Sequence, residues 1–164
     1  MVYDFSYTAT GISASGQITT SSTPIASGAY AGGYPMIGMT GQRNGVTITG
    51  LLDPSAAGTN VSEDSTAFDN VFYPVPPNAY YFDGVAGIAY TTTNSSSGYV
   101  YNVYSNGTGY SEYQGYVPST KEGPINTLTS LTVNLVPEPA SLALLAFAGA
   151  GIFLLGRRRK SAGF

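Results

Sequence analysis

The sequence changes character abruptly at Val136–Pro137, and the patterns on either side indicate two separate segments. A buried terminal helix of the globular domain is the alternative for the second one. Residues 140–156 form a run of about 17 residues without a charge. The run is apolar on every side and would be about 26 Å long as a helix, at the short end of what crosses a bilayer. Residues 1–136 instead alternate polar and apolar positions between turn residues. We therefore expect a β-rich domain over 1–136 and a separate segment over 137–160.

Strand and turn signals follow one another through residues 1–136. Tyr3, Phe5 and Tyr7 alternate with polar residues, as in a strand with one buried face. Asn44-Gly45 lies between two apolar runs, which is the strongest short signal for a hairpin. Further expected elements are a turn near Ser13–Gly16, a loop over residues 53–70, a hairpin of Tyr99–Ser105 with Tyr110–Val117, and a last strand over Ile125–Val136. The pattern predicts an all-β fold, a sandwich or jelly-roll-like domain, followed by one transmembrane helix.

The residue types that the chain lacks exclude many kinds of chemistry. It contains no Cys, no His and no Trp. Without Cys there is no disulfide, no thiolate nucleophile and no cysteine-ligated metal. Without His, the commonest general base and metal ligand is missing as well. We therefore expect no cofactor and no enzyme activity.

The few charges are distributed unevenly along the chain. Residues 1–136 hold two cations, Arg43 and Lys121, against eight carboxylates. A domain with this balance lacks the cations that neutralise nucleic-acid phosphates, so we expect no nucleic-acid partner. The remaining four cations stand together directly after the apolar run, at Arg157, Arg158, Arg159 and Lys160. Such a cluster is typical of the cytoplasmic end of a membrane helix, which places residues 1–136 outside the cytoplasm.

Three features stand in order near the end of the sequence: the tripeptide Pro137-Glu138-Pro139, the apolar span and the basic cluster. In this order the segment resembles the PEP-CTERM family of bacterial exported surface proteins. The resemblance implies that an exosortase in the membrane cuts near the tripeptide. It also implies that the protein then reaches the cell surface or the extracellular matrix of a biofilm, where exopolysaccharide is a candidate partner.

Such exported proteins begin with a cleavable signal peptide, and the first residues here do not look like one. Met1–Phe5 is already strand-like, with no basic start and no apolar core. We expect the true start of the protein to lie upstream of Met1. The alternatives are a chain that has been trimmed, and a tail-anchored protein with residues 1–136 in the cytoplasm.

Acidic residues gather in the long loop that follows the fourth expected strand. Carboxylates can serve a glycosidase, and calcium takes oxygen ligands. Glu63, Asp64 and Asp69 are the candidate calcium ligands, although their spacing matches no EF-hand. We favour a solvated acidic loop over a catalytic pair or a metal site, and a small carboxylate-based glycosidase is the weakest alternative function.

Tyrosines crowd the expected second hairpin. Tyr99 and Tyr101 share one face of a strand by the two-residue period, while Tyr104 points to the other. Tyr99, Tyr101, Tyr110 and Tyr113 are the candidate glycan contacts, because exposed tyrosine rings stack on sugars. Ordinary packing between neighbouring strands is the favoured interpretation. We expect a structural or adhesive envelope protein, and the alternative is a carbohydrate-binding module for exopolysaccharide.

Overall fold

The computed structural model describes residues 1–54, 68–74, 80–82, 87–97, 99–116 and 124–137. The described chain contains ten strands and one short 3₁₀ helix. The strands are β1 (Val2–Ala9), β2 (Ile12–Thr20), β3 (Tyr34–Arg43), β4 (Val46–Leu51), β5 (Val71–Phe72), β6 (Ile88–Thr92), β7 (Tyr99–Ser105), β8 (Tyr110–Tyr116), β9 (Ile125–Thr127) and β10 (Ser130–Leu135). The 3₁₀ helix, Thr93–Ser97, connects β6 to β7.

The described strands form one curled antiparallel sheet, which confirms the predicted all-β class. Their order across the sheet is β10-β1-β2-β3-β4-β6-β7-β8-β9, and the short β5 pairs with β3 beside this path. Most neighbours are consecutive in sequence, so the sheet is a meander. The described strands are therefore joined in a single sheet, where a sandwich would have two.

The last segment of the domain connects the two edges of this sheet. Its first part, β9, pairs with β8, and its second part, β10, pairs with β1. Between them the Leu128 N–H donates to the Tyr110 carbonyl and the Thr129 N–H to the Thr8 carbonyl, both at 2.8 Å. The single strand expected over Ile125–Val136 is thus broken at this point, because its two halves pair with different edges. The break closes the curl of the sheet.

Two hairpins agree with the sequence signals. Asn44 and Gly45 have φ of 49° and 76°, and Arg43 pairs with Val46, so the β3–β4 turn is the predicted two-residue hairpin of type I′. The β7–β8 hairpin also forms as expected, with Ser105 opposite Tyr110.

The turn of the first hairpin lies elsewhere than predicted. It is formed by Thr10 and Gly11 and not by Ser13–Gly16, because Ala9 already pairs with Ile12. Gly11 has the positive φ, 71°, that a tight turn needs. Ile12 and Ala14 are buried, so buried and exposed positions of β2 alternate from directly after this turn. The strand therefore includes the small residues 13–16, whose composition is typical of a loop.

Aromatic and aliphatic side chains fill the inside of the curl. The principal core takes residues from both halves of the sheet, of which the first consists of β10 and β1 to β4 and the second of β6 to β9. Its largest fully buried members include Tyr7, Tyr90, Phe72 and Phe82. A second, smaller core covers the other face of β6, β7 and β8 with Phe68, Ala89, Val100 and Tyr113. β6 and β7 are therefore buried on both faces, while β1 and β2 have one face in the core and one in solvent.

The Asn44 side chain ties the tips of the first two hairpins together, which yields a testable prediction. Its Oδ1 accepts from the Ser13 N–H at 2.7 Å, and its Nδ2 donates to the Gly11 carbonyl at 3.0 Å. We expect Asn44→Ala to lower the free energy of unfolding by about 2 kcal/mol, because it removes these bonds and strains the left-handed backbone.

The matched variant Asn44→Gly separates the two contributions, because glycine keeps the left-handed conformation without strain. We expect it to cost about 1 kcal/mol, the part that belongs to the hydrogen bonds. Urea unfolding of both variants measures the difference. Equal losses in Asn44→Ala and Asn44→Gly would contradict the assigned backbone strain.

Candidate functional site

A charged and polar cluster lies inside the curled sheet, where apolar side chains are the rule. Its centre is Glu112 on β8, whose side chain is 0% exposed. Arg43 reaches it from the end of β3 and is only 11% exposed. Tyr7 on β1 and Tyr90 on β6 complete the cluster. Four strands from both halves of the sheet therefore meet at one carboxylate.

Both oxygens of the Glu112 carboxylate accept hydrogen bonds. The Arg43 Nε lies 3.2 Å from Oε1 and 3.0 Å from Oε2, and the Arg43 Nη2 lies 2.5 Å from Oε1. The Tyr7 hydroxyl donates to Oε2, the Tyr90 hydroxyl lies 3.2 Å from the same oxygen, and the two phenols hydrogen-bond each other. A forked guanidinium and phenol donors are the partners that a carboxylate needs when no water surrounds it.

Two neighbouring residues, Ala14 and Tyr101, favour the contact between Arg43 and Glu112. Ala14 on β2 stands between Tyr7 and Arg43 in a row across three strands. Because Ala14 is short, the two long side chains on either side can converge on Glu112. The Arg43 guanidinium also lies over the Tyr101 ring, with its carbon 4.1 Å from the ring centre, in a cation–π contact.

The pKa values of Tyr7, Tyr90 and Arg43 are all raised in this cluster. Burial raises the pKa of Tyr7 well above its ordinary value of about 10, and Tyr90 and Glu112 raise it further. Burial and the charge of Glu112 likewise raise the pKa of Tyr90. For Arg43, burial by itself lowers the pKa, but the hydrogen bonds and charge of Glu112 outweigh it and the pKa is raised. The guanidinium is therefore charged and both phenols keep their protons at neutral pH.

This arrangement acts as an internal clamp between the two halves of the sheet. The carboxylate and its donors already hydrogen-bond one another, and Glu112 is sealed from solvent. Removing Arg43 or Glu112 would leave the charge of the other buried without its partner, which costs several kcal/mol. The chemistry that the geometry supports directly is therefore structural.

The sequence did not single out Glu112 or Arg43 as site residues. In the sequence, Arg43 is distinguished as one of the two cations in residues 1–136 and as the residue before Asn44-Gly45. The available signal was the phase of Glu112, which shares the two-residue period of Tyr110 in β8. Tyr110 packs against the principal core, so Glu112 points inward too.

The candidate tyrosines lie on both faces of the second hairpin. Tyr101 and Tyr113 are buried, at 8% and 6% exposure, in the principal and the smaller core. Tyr99 and Tyr110 are half-buried against the principal core. Tyr104 packs against the smaller core, so its predicted separation from Tyr99 and Tyr101 is confirmed. Their role as glycan contacts stays a prediction.

The candidate calcium ligands are divided between described and undescribed parts of the chain. Glu63 and Asp64 lie outside the described residues. Asp69 is half-buried before β5, and its Oδ1 accepts from the Val71 N–H at 2.9 Å. Within the described ranges, no three Asp or Glu side chains gather as a metal site. The calcium site stays a prediction.

The sorting segment begins where the described domain ends. Pro137 is the last described residue and is exposed. Glu138 and Pro139, the apolar run 140–156 and the basic cluster Arg157–Lys160 lie outside the described residues. Among the helices of the described ranges, none has the length and apolar character to span a membrane.

Comparison with known proteins identifies this segment. Residues 135–160 match the family model of the PEP-CTERM protein-sorting motif. No curated protein and no solved structure matches the chain. The motif implies an exported protein that is targeted by an exosortase. The match confirms the resemblance to the PEP-CTERM family that the sequence indicated. It begins at Leu135, the last residue of β10.

The internal clamp predicts a large effect of a nearly isosteric substitution. Glu112→Gln removes the negative charge and leaves Arg43 without its ionic partner inside the protein. We expect the free energy of unfolding to fall by about 3 kcal/mol. Denaturant unfolding measures it, and Asp4→Asn, at an exposed carboxylate of β1, is the matched control and should change stability little.

A double-mutant cycle with Arg43→Met and Glu112→Gln tests the pairing itself. Because each single variant removes the same ion pair, we expect the double variant to lose clearly less stability than the two single losses combined. Additive losses would show that the two side chains act independently and would contradict the clamp.

The two phenols predict a loss of stability at alkaline pH. Their pKa values are raised in the folded protein, so above about pH 10 the unfolded chain binds fewer protons than the folded one. The free energy of unfolding must then fall as the pH rises. We expect Tyr7→Phe to reduce this alkaline slope. Phenolate absorbance of the folded protein provides the check: release of every tyrosine proton in one step near pH 10 would contradict it.

Proposed function

We propose that residues 1–136 are an exported β domain with a structural or adhesive role in the cell envelope or extracellular matrix. In this proposal residues 137–160 are the segment through which an exosortase sorts it. The domain presents a stable surface outside the cell. The chain itself is the substrate, and the exosortase cuts it near Pro137–Pro139. The observation that carries the proposal is how closely the described strand pairing approaches the tripeptide.

The hydrogen bonding of β10 with β1 continues as far as Val136, immediately before the sorting tripeptide. Leu135 pairs with Tyr3, and the Val136 N–H donates to the Val2 carbonyl at 2.9 Å. The next residue, Pro137, has no N–H to donate and is exposed. Cleavage after this point would therefore leave every described strand pairing intact, as a domain released from its anchor requires.

The tripeptide favours an extended backbone and carries a single charge, which a processing enzyme can bind. Pro137 and Pro139 favour an extended chain and exclude a helix interior, and Glu138 places a charge between them. The apolar run would hold the segment in the membrane, and the basic cluster would fix its orientation.

A structural role is also supported by how the domain uses its charges. Arg43 and Glu112 bind each other inside the sheet and hold its two halves together. Closure by β9 and β10 removes the widely separated edges that an open sheet would present. A closed sheet with an internal ion pair suits a domain that must persist outside the cell.

Substitution of the motif's single charge tests the sorting part of the proposal. We expect Glu138→Ala, expressed in cells that contain an exosortase, to accumulate at full length in the membrane, while the unsubstituted chain is shortened and moves outward. Asp4→Ala, which removes an exposed carboxylate of β1, is the control and should be processed normally. Mass spectrometry and cell fractionation measure both. Normal shortening of the Glu138→Ala chain would contradict a role of the motif in sorting.

A further inference from the structure

The outer surface of β10, β1, β2 and β3 carries polar side chains in three cross-strand rows, which we name the hydroxyl face. Strand pairing defines the rows, and all the side chains are exposed. The rows are Asn134, Asp4, Gln17 and Thr40; then Thr132, Ser6, Ser15 and Gln42; and then Ser130, Thr8 and Ser13. Asp4 is the single ionisable residue in this set, although solvent-facing surfaces are ordinarily rich in Lys and Glu.

The side chains of this face are fixed in relation to one another. The Ser6 and Thr132 hydroxyls are 2.8 Å apart, and those of Thr8 and Ser130 are 2.7 Å apart. The charge of Asp4 is engaged within the face, because its Oδ1 accepts from the Gln17 amide at 3.0 Å. Groups that are ordered in advance lose little freedom when a ligand binds.

The face also contains a shaped depression. Its volume is about 270 Å³, and its lining includes Ser6, Thr8, Ser13, Ser15, Gln42 and Gly45. One wall is the tip of the β3–β4 hairpin, which the Asn44 side chain fastens to the first hairpin. The depression is therefore built from two hairpins that are held together and not from a loose loop.

We propose that the hydroxyl face binds a neutral polysaccharide. Each hydroxyl and amide both donates and accepts hydrogen bonds, as the hydroxyls of a sugar chain do. Positions repeat at about 4.8 Å across the strands and about 7 Å along them, so a polymer with repeating hydroxyls can meet several partners at once.

The chemistry of the face favours this occupant over others. It offers no cation for an anionic polymer, and residues 1–136 hold eight carboxylates against two cations. The centres of protein interfaces are enriched in aromatic residues, Met and Arg and are poor in Ser, which is the opposite of this composition. The proposal supplies the partner of the adhesive role above and rests on that role only for its setting outside the cell.

Binding of the purified full chain in detergent tests the proposal. The neutral probes are cellulose, dextran and mannan, and alginate is the anionic probe. We expect retention on at least one neutral polymer that is insensitive to salt. Ser6→Ala, Ser15→Ala and Thr132→Val together remove the hydroxyls of the middle row, and we expect them to weaken binding about tenfold or more.

The control variant removes a hydroxyl pair outside the hydroxyl face. Thr49 and Thr91 hydrogen-bond each other at 2.7 Å between β4 and β6, and Thr49→Val with Thr91→Val should leave binding unchanged. Equal weakening in both variants, salt-sensitive binding to alginate alone, or no binding to any neutral polymer would each overturn the proposal. Circular dichroism verifies that each variant is folded. Failure of Glu138→Ala to alter sorting would leave this binding result untouched, so the two proposals fail separately.

Discussion

The ion pair between Arg43 and Glu112 is the constraint on which the rest of the structure depends. A carboxylate sealed from solvent is tolerable only when donors surround it, and here they come from β1, β3 and β6. These strands must therefore curl around β8 before the carboxylate is satisfied. The pair fixes how the two halves of the sheet face each other, whereas apolar packing alone would tolerate several arrangements.

Much of the sheet could be predicted from local signals, and the centre of the site could not. Asn44-Gly45 specifies its turn within two residues, and the alternation of Tyr3, Phe5 and Tyr7 specifies an inner face. Glu112 shares the two-residue phase of Tyr110, but a charge at alternate positions of a strand usually indicates a solvent-facing side, so the local pattern alone does not place it in the core. Its partner stands 69 residues away in sequence, a contact that only the curl of the sheet brings about.

The break between β9 and β10 has the same origin. The sequence of residues 125–136 indicates one strand, and each half does form a strand, but the two halves pair with opposite edges. Among the described residues, Val136 is the last one bonded to the sheet, directly before the tripeptide Pro137-Glu138-Pro139. This position of the tripeptide suits the domain that we propose, which is delivered outside the cell and then presents its hydroxyl face.

Native-state hydrogen exchange of the full chain tests most directly whether the ion pair unites the two halves of the sheet. If it does, the slowest amides of β1 and β3 and those of β7 and β8 open with one common free energy, equal to that of global unfolding. In Glu112→Gln the common value falls for both halves together. Separate opening energies for the two halves in the unsubstituted protein would contradict a sheet held together by Arg43 and Glu112.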